Sequence, residues 1–145
     1  MWTVQEEIEK AIAALGLPKS RIRRCDADEA LAIQQKARDI FVVGTPRVWW
    51  LALRHPFQSH VFDETTGLDF LDYLIPHNDQ RCWFIPESEE SLLPVYDADI
   101  SAVKDILGEC PFFEYYLVGK NYDWLLLEND HNEVIVVDLT KSPES

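Results

Sequence analysis

The chain has 145 residues, enough for one domain with a real hydrophobic core, and 47% of them are apolar, which excludes intrinsic disorder. Thirteen basic side chains stand against 26 acidic ones, a formal net charge of −13, which disfavours nucleic acid and anionic membranes as partners. The charge is lopsided: residues 1–54 carry +2 and residues 55–145 carry −15.

Met1 to Leu15 contains Glu6, Glu7 and Glu9 and lacks the basic start and apolar stretch of a secretory signal. No apolar run approaches the length needed to span a bilayer. A cytoplasmic location is therefore expected. Cys25, Cys82 and Cys110 are odd in number and widely spaced, which suits reduced thiols better than disulfides or a zinc site.

In chain order, Thr3 and Glu6 form a capping box for a helix with Val4, Ile8, Ile12 and Leu15 on one face, stopped by Gly16 and Pro18. A basic patch follows: Lys19, Arg21, Arg23 and Arg24. It is expected to pair with the acidic half of the same fold. Asp26 or Asp28 opens a second helix to about Asp39. Beyond the Gly44-Thr45-Pro46 break, Arg47 to Leu53 is rich in aromatic and branched residues and reads as a strand. Ser59 to Phe62 reads as a short partner strand for it, Gly67 to Leu74 as a helix, and Arg81 to Ile85 as a strand. A polar loop spans Pro86 to Pro94. Asp97 or Asp99 then caps a helix over Ile100 to Leu107.

Three strands complete the chain: Phe112 to Val118, Trp124 to Glu128 and Val134 to Leu139. The two short turn-rich connections make them an antiparallel meander, and a frayed tail follows from Lys141. The fold class is thus α+β: one domain over 1–145, with an antiparallel sheet that includes this C-terminal meander and three to four helices packed on it. Both faces of the meander are apolar. Phe113, Tyr115 and Leu117 oppose Tyr116 and Val118, while Trp124 and Leu126 oppose Leu125 and Leu127. Either helices cover both faces, or one face meets a partner or a second copy.

The chain has no phosphate-binding glycine motif and no nucleophile elbow, so no catalytic residue and no cofactor is assigned. Cys110 follows a helix C-terminus, where the helix dipole disfavours a thiolate. Glu128, Asp130 and His131 could serve a small metal-dependent hydrolase, but they occupy a hairpin tip, where such residues suit turn geometry. The stronger pattern is one of aromatic anchors ringed by carboxylates. Trp49 or Trp50, with Tyr115, Tyr122 and Trp124, would supply buried area; Glu128 and Asp130, beside His131, would meet a basic protein. A homodimeric scaffold is a third reading.

The segments Gly44-Thr45-Pro46-Arg47-Val48-Trp49-Trp50, Gly108 to Tyr116 and Trp124 to Asn132 resemble a group of small uncharacterised bacterial proteins. Small acidic single-domain proteins of this type are often immunity proteins. The resemblance implies a non-enzymatic module that neutralises a basic toxin; it carries over no catalytic residue.

Overall fold

A computed structural model of the protein describes residues 3–62, 70–88 and 92–140. The expected helix start at 67–69, the loop residues 89–91 and the tail from Lys141 lie outside them. The described elements are α1 (Val4–Leu15), β1 (Ile22–Arg24), α2 (Ala27–Phe41), β2 (Gln58–Val61), α3 (Phe70–Leu74), β3 (Arg81–Pro86), β4 (Tyr96–Asp99), α4 (Ile100–Glu109), β5 (Tyr115–Gly119), β6 (Trp124–Glu128) and β7 (Glu133–Asp138).

Local chemistry sets the helix boundaries. Thr3 Oγ1 accepts from the Glu6 amide at 3.1 Å, and the Glu6 carboxylate accepts from the Thr3 amide at 3.3 Å. Gly16 ends α1 in the left-handed region at φ 64°. Asp26 and Glu29 repeat the reciprocal cap on α2. Asp99 caps α4 by accepting from the Ala102 amide at 2.7 Å.

The seven strands form one antiparallel sheet in the order β1-β4-β3-β5-β6-β7-β2. Period-two alternation divides its side chains between two cores. On one side Phe84, Tyr96, Tyr115, Leu117, Trp124, Leu126, Val134 and Val136 pack with Ile8 and Ala11 of α1, Phe70 and Leu71 of α3, and Val103 and Ile106 of α4. On the other, Ile85, Tyr116, Val118, Leu125, Leu127, Ile135 and Val137 pack with Ile33, Ala37 and Phe41 of α2 and with Trp49. Among the described residues the two apolar faces of the meander are thus both packed against elements of the same chain.

Three sequence expectations need correction. Arg47 to Leu53 does not form a strand; a 3-10 turn occupies Trp49–Leu51, and only a single bridge, Val42 to Leu53, is strand-like. The segment instead lies across the sheet: the Trp49 ring stacks on Tyr116 at 4.3 Å, and its amide donates to the Tyr116 hydroxyl at 3.2 Å. Strand preference describes a fit to a pleated surface, and here the tryptophan packs onto such a surface without joining it. The short strand near 59–62 pairs with β7, not with its neighbour in sequence. Finally, β1 and β4 stand where the sequence pattern shows a basic patch and a capping segment.

Half of the basic patch pairs internally: among the described residues Arg21 and Arg23 find acidic partners, and Lys19 and Arg24 do not. Arg21 reaches Asp99 and Asp105, both at 3.3 Å; Arg23 reaches Glu29 at 3.2 Å and Asp97 at 3.7 Å. Asp97 also meets Lys120 at 2.6 Å and Arg81 at 2.8 Å.

Candidate protein-docking face

The residues expected to form a docking face divide into two groups. Trp49, Tyr115 and Trp124 are buried and belong to the core. Trp124 lies against Gly119, and its indole N–H donates to Asp79 Oδ2 at 2.7 Å. Tyr115 donates to Glu128 Oε1 at 2.7 Å, and burial raises the Glu128 carboxyl against the opposing effect of that bond. These rings present no surface to a partner. Tyr122 is half-buried at φ 57°, with the Lys36 ammonium 4.4 Å from its ring centre.

Trp50, Asp130 and His131 do come together. The 3-10 turn places Trp49 down onto the sheet and leaves Trp50 half-buried above the rim. The Trp50 ring meets His131 edge-to-face, with centroids 5.9 Å apart, and its indole N–H donates to Glu114 Oε2 at 3.4 Å. His131 lies 3.4 Å from Asp130; their side chains are 69% and 64% exposed. The hairpin tip is held by Asn129, which accepts from the His131 amide and donates to Glu133 Oε1, both at 2.9 Å. Beside Trp50, Leu51 is 54% exposed; Val43, tied to the same loop by its amide bond to the Ala52 carbonyl, is 50% exposed.

Two further carboxylates complete the face. Glu87 lies alongside Glu114 just beyond the paired ends of β3 and β5, and its amide donates to the Glu114 carbonyl at 2.9 Å. Glu87 accepts from the Tyr116 hydroxyl. Burial pushes its carboxyl up, the nearby Glu114 charge adds to this, and the Tyr116 bond opposes it. Glu114 lies at the start of the meander, whereas Glu87 sits in what reads as an ordinary polar loop. Only the β3–β5 register brings the two together, and no local pattern encodes that register.

The geometry separates the residues of the metal reading. Glu128 projects to the α1 side, toward Tyr115, while His131 turns to Trp50 on the α2 side. Among the described residues no group of three or more His, Cys, Asp or Glu side chains is placed to hold a metal ion. All three thiols are free, and burial raises each of them above its ordinary range.

These features define an α+β domain in which helices sandwich one antiparallel sheet and an acidic, aromatic rim is left at one end. The chain belongs to a family of unknown function (DUF6756), whose profile matches residues 1–143. No curated protein and no solved structure matches it. Among the described residues no helix is long and apolar enough to cross a membrane.

Proposed function

We propose that the protein is a non-enzymatic binding module that docks a basic protein through the rim around Trp50, in the manner of an immunity protein covering the cationic site of a toxin. The observation that carries the reading is the half-buried Trp50 indole, held edge-on by His131 and bonded to Glu114. A fixed tryptophan loses little entropy on binding and brings large area, which is how interface hot spots work. Leu51 and Val43 extend the apolar contact, and Glu87, Glu114 and Asp130 supply the negative rim. The charge of −15 over residues 55–145 favours a cationic partner and faster encounter at low salt.

The test begins with a tagged full chain used to capture its partner from the native cell. Trp50→Ala should weaken that complex by roughly 30-fold, a typical hot-spot loss of about 2 kcal/mol. Its circular dichroism should match the parent, since the indole lies at the rim. An unchanged affinity, or capture of nothing basic, would overturn the reading.

A further inference from the structure

Between α1 and β1 lies a groove of about 530 Å³, within the size range of small-molecule sites. Ile12, Leu17 and Ile22 give it apolar walls. Tyr96, buried, forms its inner surface, with its hydroxyl donating to Glu9 Oε1 at 2.9 Å. Lys19 and Arg24 supply positive charge at the same groove.

Strand alternation aims these groups. Ile22 packs into the α1-side core, and Arg23 turns to the other side, where it pairs with Glu29 and Asp97. Arg24, two residues after Ile22, returns to the α1 side and is the direct cross-strand partner of Tyr96. Its charge is close enough to offset part of the upward push that burial and Glu9 give the Tyr96 hydroxyl.

Cations in this protein are outnumbered two to one by carboxylates, and Arg21, Arg23, Arg81, Lys104 and Lys120 all have acidic partners. Among the described residues Lys19 and Arg24 have none, as is also true of Lys36, Arg38, Arg47 and Arg54, but only Lys19 and Arg24 of these line the groove. Lys19 and Arg24 share the groove with one carboxylate, Glu9, which already accepts from the Tyr96 hydroxyl; set on apolar walls over that buried tyrosine, the two cations offer their charge to an anion.

We propose that this groove binds a small monocarboxylate with an apolar body, its carboxylate held by Arg24 and Lys19 and its hydrocarbon laid against Ile12, Leu17 and Ile22. Glu9 sets the charge of the ligand: a phosphate dianion would meet that carboxylate at close range, whereas a single negative charge can keep to the Lys19–Arg24 side.

The experiment is a nuclear magnetic resonance titration of the isotope-labelled full chain with octanoate, 1-octanol and inorganic phosphate as separate probes. Octanoate should give saturable shifts confined to amides of residues 9–24 and 95–97, with 1-octanol and phosphate binding far more weakly. Lys19→Gln and Arg24→Gln change exposed side chains and should leave the spectrum folded. Each should weaken octanoate by about tenfold, the effect of losing one charge-assisted contact. The proposal fails if millimolar octanoate produces no saturable shift, or if 1-octanol binds as tightly. It fails equally if phosphate matches octanoate, or if the double variant keeps the parent's affinity.

Discussion

At Gly119 the absence of a side chain is a packing requirement. A Cβ there would lie 2.7 Å from Trp124 Cδ1 and 2.9 Å from Cε2, and the indole cannot swing away without losing its bond to Asp79. Gly119→Ala should therefore destabilise the fold by about 1–3 kcal/mol through overpacking, read as a lower urea midpoint. Asp97 illustrates the opposite balance. Burial alone would raise its carboxyl, but hydrogen bonds from Lys120 and Arg81 outweigh this and hold it below its ordinary value of 3.8. A depressed folded-state value means the carboxylate stabilises the fold above pH 3.8, and the contribution is lost as pH falls through the lower folded value. Asp97→Asn should cost about 1–2 kcal/mol at neutral pH, a figure limited because its cationic partners are partly solvated. In chemical denaturation at stepped pH, the gap between variant and parent should close under acid conditions.

At the level of elements, legibility followed how local the cause was. The capping box of α1 and the span of β6 could be read directly, because each depends on residues close together in the chain; for α2 the sequence offers Asp26 or Asp28, and the structure selects Asp26 with Glu29 as its reciprocal partner. Asp26→Ala removes the cap of the helix that covers the second core and should lower stability by about 1 kcal/mol, seen as a reduced thermal midpoint. The three residues of β1 are too few to show periodicity, and Asp97 and Asp99 disguise β4 as a capping segment. Trp49 and Trp50 had the composition of a strand, yet the hydroxyl that receives the Trp49 amide belongs to Tyr116, far away in sequence. Of the expected docking residues, Trp50, Asp130 and His131 meet at the rim, whereas Trp49, Tyr115 and Trp124 went inside. Alternation assigns a residue to a face of the sheet; it does not say whether a helix will close over that face.

Across the whole molecule, the apolar character of both meander faces has an internal explanation: α1, α3 and α4 lie on one side, α2 and the Trp49 turn on the other. The sequence posed that choice without deciding it, since helix placement depends on contacts between distant segments. The strand order has a further consequence for biosynthesis. The two outermost strands, β1 and β2, leave the ribosome long before the β4 and β7 edges on which they dock. Until β7 emerges, β2 has no hydrogen-bonding neighbour and the hydrophobic surface of α2 is only partly sheltered. Such pairings carry a large loop-closure cost and form slowly. Until its final strands emerge, the nascent polypeptide keeps these edges unpaired, the condition in which strand edges are open to misassociation.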